Sequence, residues 1–92
     1  MDKIEQSSRI VCAAECILNF DGVDYPGVIE NISLTGALIK LDSGMPAGIR
    51  PGDTCDMIFC SRPDVYPLKY TSTVVRLDSA LIGIEFLELN IM

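Results

Sequence analysis

Apolar and polar positions alternate along most of the chain, turn signals recur about every eight to fifteen residues, and helical periodicity is hard to find. Ile10 to Phe20 carries apolar residues densely enough for one long strand. Asp21-Gly22, with Asp24, supplies the turn that returns the chain as a hairpin through Tyr25 to Ile32. Gly36 to Leu41 reads as a third strand, closed by Asp42-Ser43-Gly44. Pro46, Gly48, Pro51 and Gly52 then mark an irregular connection with room for at most a helical turn or two. Thr54 to Cys60 follows as a strand, and Pro63 and Pro67 bracket the next loop. Leu68 to Leu77 alternates, with Tyr70, Ser72, Val74 and Arg76 on one side, and Asp78-Ser79 turns it into a last strand, Leu81 to Leu87. Six short antiparallel strands with no helix to cover a sheet face can bury a core only by curling into a barrel or folding into a sandwich.

Composition narrows the field. Ninety-two residues make one domain, 1–92, whose single core stabilises it only marginally; residues 1–8 read as a flexible N-terminal arm. The chain is 49% hydrophobic, yet no apolar stretch approaches the roughly eighteen residues needed to cross a bilayer. Membrane insertion is therefore not expected, and part of the apolar surface is expected to be covered by a protein partner or in a homo-oligomer. The polar, acidic start Met1-Asp2-Lys3-Ile4-Glu5-Gln6-Ser7-Ser8 leads into no long apolar region, so the expected compartment is the cytoplasm.

Seven basic against thirteen acidic side chains give a net charge of −6. A nucleic-acid surface needs clustered Lys and Arg, and the basic residues here are scattered from Lys3 to Arg76. A small anionic ligand is still compatible with this balance. One or two well-placed guanidinium groups hold a phosphate, because distant carboxylates are screened over a Debye length of about 8 Å.

The chain contains no histidine, which removes the commonest general acid–base residue and most catalytic zinc sites. Of four cysteines, Cys12 and Cys16 would share a strand face while Cys55 and Cys60 would point oppositely, so their sulfurs do not converge. The gaps also differ from the two-residue knuckle of structural zinc, and buried, reduced thiols are the expectation. Asp53, Asp56 and Asp64 read as loop and strand-surface charges. No nucleophile or acid–base constellation is visible, so no catalytic residues, no metal and no enzymatic activity are expected.

The segment Asn31-Ile32-Ser33-Leu34-Thr35-Gly36 is the place where polar side chains are spaced regularly and then stopped by a glycine. In extended backbone, residues 31, 33 and 35 share one side and Ile32 and Leu34 the other. That arrangement would bury two aliphatic side chains, turn an amide and two hydroxyls outward, and let a ligand or a second strand approach Gly36 closely. The same residues equally describe a plain turn, since Asn and Ser bond their own backbone and Gly supplies positive φ.

The ordered set of segments resembles the PilZ domain family. That family has an arginine-rich entry with an RxxxR motif, then (D/N)xSxxG after a strand pair, a glycine-containing loop, and a strand with Gly-x-x-Phe. Asn31, Ser33 and Gly36 fit the second motif, Gly52-Asp53 the loop, and Ile82-Gly83-Ile84-Glu85-Phe86 the last strand. The resemblance runs from about Arg9 to Leu89. It implies a six-stranded antiparallel PilZ-like split β-barrel that binds the bacterial second messenger cyclic di-GMP and acts as a receiver or adaptor. The implied ligand-binding residues are Arg9, Asn31, Ser33 and Gly36. Guanine offers O6 and N7 acceptors that a guanidinium grips, and N1–H and N2–H donors that need an oxygen such as that of Asn31.

The departure lies in the arm. Four residues before Arg9 stands Glu5 and four after it Ala13, so RxxxR is incomplete. Arg9 aligns best as the second arginine, which puts Glu5 where the first belongs, with Lys3 as a point-charge substitute. Losing a bidentate charged hydrogen bond costs about 1.5 to 3 kcal/mol, roughly ten- to a hundredfold in affinity. The alternative implied by that loss is a degenerate barrel that binds no nucleotide and works as a protein–protein interaction module.

Overall fold

The computed structural model describes residues 10–59 and 68–91, with side chains for 14–59 and 68–90. It contains six strands: β1 Ile10–Phe20, β2 Val23–Ile32, β3 Gly36–Leu41, β4 Thr54–Phe59, β5 Leu68–Asp78 and β6 Leu81–Ile91. Every pairing is antiparallel, and the order β1-β2-β3-β6-β5-β4 closes through a ladder between β4 and β1. The barrel, and not the sandwich, is thus the solution, with no helix among the described residues. Closure gives both sides of each strand a hydrogen-bonding partner, which a small open sheet cannot do.

Turn chemistry sets the strand ends. Asp21 and Gly22 take φ of 54° and 80°, the pair of left-handed residues of a type I′ turn, so pairing resumes at once between Phe20 and Val23. β2 therefore begins two residues before Tyr25. At the far end of the chain β6 runs on to Ile91, paired with Leu68, instead of stopping at Leu87. The register explains the difference: Ser72 faces Phe86 and Thr71 faces Glu88, so Leu87 is an extra residue at which the alternation breaks while the ladder continues. Phe59 ends β4, and Cys60 lies outside the described residues.

The core follows the two-residue period of each strand. Leu18, Ile29, Ile39, Met57, Val74 and Ile82 are at most 1% exposed, and the connection after β3 returns Ile49 to the same cluster. Ser72 is the polar member, fully buried, and its hydroxyl donates to the Tyr70 carbonyl at 2.9 Å, which removes the cost of an unpaired buried donor. Phe59, Tyr70 and Phe86 pack against this core with ring centroids 5.7 and 4.4 Å apart along the series. The Arg50–Asp53 turn is fixed by the Asp53 carboxylate, which accepts the Arg50 N–H at 2.8 Å, and by Gly52 at φ 97°. Gly52 N–H and Asp53 C=O then bond Val74, carrying the β4–β5 ladder into the connection.

Cys16 and Cys55 are thiols buried in the barrel; the side chains of Cys12 and Cys60 lie outside the described residues. Among the described residues no three His, Cys, Asp or Glu side chains gather as metal ligands. Burial, reinforced by Asp56 and then Asp53, pushes the Cys55 thiol up to about 12. A thiol held neutral in the fold and ionised more readily when unfolded stabilises fully below the unfolded pKa of about 9, and its contribution declines as pH rises toward 12. Denaturation midpoints measured from pH 8 to 11 should accordingly fall less steeply for Cys55→Ala than for the parent, although Cys55→Ala starts lower. Equal slopes would refute the assignment.

Candidate functional site

β2 and β3 join through a hairpin whose tip is Leu34-Thr35. Ser33 N–H donates to the Gly36 carbonyl at 2.8 Å, and the Thr35 carbonyl accepts the Phe86 N–H at 2.8 Å, tying the tip to β6. The Ser33 hydroxyl accepts the Thr35 N–H at 3.2 Å, donates toward the Gly36 carbonyl at 3.4 Å and lies 3.3 Å from the Thr35 hydroxyl. These are the local bonds of a serine turn. Extended backbone ends at Ile32, so alternation does not reach Leu34: it is 88% exposed and not buried beside Ile32.

Gly36 has a steric reason to be glycine. A Cβ there would collide with the backbone carbonyl of Ile84, so β3 approaches β6 at this point as only glycine allows. Of the two approaches that the glycine could serve, a strand's is the one present.

Beside this turn, on the outer face of the barrel, an open groove of about 460 Å³ is lined by Asn31, Ser33, Thr35 and Gly36 from the hairpin and by Arg76, Gly83 and Glu85 from β5 and β6. Its volume falls in the range of roughly 300 to 1,000 Å³ usual for ligand sites. The register shows how the groove is built: Asn31 pairs with Leu38, Leu38 with Gly83 and Gly83 with Arg76, a single row across four strands. Gly83 is buried and contributes no side chain to the middle of the row, while Leu38 and the half-exposed Val75 supply apolar flanks.

Two β-bulges put the polar ends of this row outside. Ile29 faces Ile39 and Asn31 faces Leu38, so Glu30 is an extra residue that turns Asn31 away from the core direction of Ile29. Likewise Val74 faces Ile84 and Arg76 faces Gly83, making Val75 the extra residue. Arg76 is consequently exposed and does not share a side with Tyr70, Ser72 and Val74 as plain alternation requires. The sequence did carry a signal for this. Strict alternation would bury a guanidinium and expose Leu77, and a charge is almost never buried unpaired.

Among the described residues the groove therefore holds one cation, Arg76, and one anion, Glu85, both exposed. Arg9, Glu5 and Lys3 lie outside the described residues. Ile10, the neighbour of Arg9 in the chain, pairs with Ile32 at the end of β2 from which the turn springs.

A family model, PilZ domain, matches residues 4–91, nearly the whole chain and all six strands. The chain belongs to the PilZ domain family. PilZ domains are in general cyclic di-GMP receptors, binding or adaptor domains and not catalysts. No curated protein matches the chain. In this PilZ domain Asn31, Ser33 and Gly36 line one groove, whereas Arg76, Glu85 and Gly83 were not singled out as site features from the sequence. Among the described residues no helix is long and apolar enough to cross a membrane.

The two groove glycines should separate cleanly on mutation. Gly36→Ala drives a Cβ into backbone and is expected to cost about 1 to 3 kcal/mol, as overpacking does. A Cβ at Gly83 meets the Arg76 Cβ at an ordinary 3.4 Å, so Gly83→Ala should leave the melting temperature within a few degrees of the parent. Thermal denaturation of the two variants decides it, and similar losses would show that the β3–β6 approach is not the constraint described.

Proposed function

We propose that this PilZ domain binds cyclic di-GMP in the groove and serves as a receiver or adaptor in bacterial second-messenger signalling, in the cytoplasm. The observation that carries the reading is the convergence of Asn31, Ser33 and Gly36 on one open groove of suitable volume. The Asn31 amide oxygen accepts the N1–H and N2–H donors of guanine. Ser33, whose hydroxyl is steadied by the turn, offers its remaining lone pair. Arg9, which precedes Ile10 in the chain, supplies in this reading the guanidinium for a base or phosphate, and Glu5 brings like charge to the ligand.

A second reading has its own support. Leu34 at the hairpin tip is 88% exposed, and Leu87 and Leu89 on β6 are 60% and 53% exposed. Such apolar surface suits a protein–protein interaction module, by way of a partner or a homo-oligomer.

Calorimetric titration with cyclic di-GMP tests the first reading against the second. Arg9→Ala should abolish the heat seen with the parent, and Glu5→Arg, which changes local charge by two and adds a bidentate donor, should tighten binding by about tenfold or more. Absence of binding by both the parent and Glu5→Arg would leave the interaction module as the better account.

A further inference from the structure

The groove contains a guanidinium that the family motifs do not provide for. We propose that Arg76 is the second arginine of the nucleotide site, a barrel-borne cation that holds a ligand phosphate in place of the arginine missing at Glu5. The proposal rests on the cyclic di-GMP reading of the same groove and adds to it a residue.

Three observations carry it. The bulge at Val75 turns Arg76 out of the core and onto the groove wall, in register with Gly83, Leu38 and Asn31. Gly83, between Leu38 and Arg76 in that row, carries no side chain, so none stands between a ligand lying on Leu38 and the guanidinium. Among the described residues the Arg76 side chain makes no hydrogen bond or ion pair, Glu85 included, so its five donors are available. A charge need only leave the core to satisfy the fold. It need not leave onto a groove, beside a glycine and without a partner.

The row also sets how far apart its two polar ends stand. Asn31 and Arg76 stand three strand spacings apart, about 14 Å along the sheet. The Asn31 amide and the Arg76 guanidinium both reach inward across that interval, so one ligand can touch both, a base at one end and a phosphate at the other.

Titrations with cyclic di-GMP at low and high salt decide the matter, using the parent, Arg76→Ala, Arg76→Lys and Lys40→Ala. Lys40 is an exposed cation outside the groove and controls for loss of charge alone. Arg76→Ala is expected to bind about tenfold or more weakly and with a shallower salt dependence, Arg76→Lys to fall between, and Lys40→Ala to match the parent. Arg76 is exposed, so melting temperatures should be unchanged, and the lysine variant keeps the test sound if they are not. Parent-like binding by Arg76→Ala, or an equal loss in Lys40→Ala, overturns the assignment and leaves the nucleotide reading intact. Where the parent binds too weakly to titrate, the series is run on Glu5→Arg. Absence of binding there overturns both.

Discussion

A residue in a β-strand can point only two ways, and closing the sheet into a small barrel makes one of those directions dry. Leu18, Ile29, Ile39, Met57, Val74 and Ile82 fill that interior, and each fixes the parity of its strand. A slip of one residue would exchange the core for the surface. Where the sequence needs consecutive segments of one strand to differ in parity, the chain inserts a residue. The cost comparison favours this: burying an unpaired amide or charge costs several kcal/mol, whereas a disrupted ladder bond costs about 1 kcal/mol net.

The bulges at Glu30 and Val75 lie on strands that flank the same β3–β6 seam, and they expose the two polar ends of one cross-strand row. The groove is a consequence of parity correction around a glycine. Its floor is held by the fit of Gly36 against the Ile84 carbonyl and by the Thr35–Phe86 bond. The two sequence readings of the 31–36 segment, structural turn and outward polar row, are geometrically compatible. Ser33 makes the turn's bonds, and Asn31, Ser33 and Thr35 still line one groove.

The six strands and their antiparallel order were legible because period-two patterning and turn residues report directly on local backbone. Asp21-Gly22 and Pro51-Gly52 can form few other structures. What escaped was set by single inserted residues. Leu87 ended the visible alternation of β6, and Val75 reversed the direction of Arg76, yet neither residue type announces a bulge. Arg76 followed by Leu77 was the readable clue, since the unbulged strand would bury the charge and expose the leucine. Leu34 misled for a different reason, because alternation was extended past the end of the strand. Gly83 was visible as part of a family motif, but its place between Leu38 and Arg76 depends on the strand register.

The groove's placement bears on how a chain of net charge −6 could hold an anion. Fixing a backbone residue costs about 1 to 2 kcal/mol of conformational entropy, and an arginine on β5 adds no such cost on binding, since the strand is already held on both sides by β4 and β6. Screening confines the field of remote carboxylates to about 8 Å, so the local balance at Arg76 and Glu85 outweighs the overall charge. A cation on the barrel is therefore placed before any anion arrives, and the phosphate contact proposed at Arg76 draws on the fold and not on chain ordering.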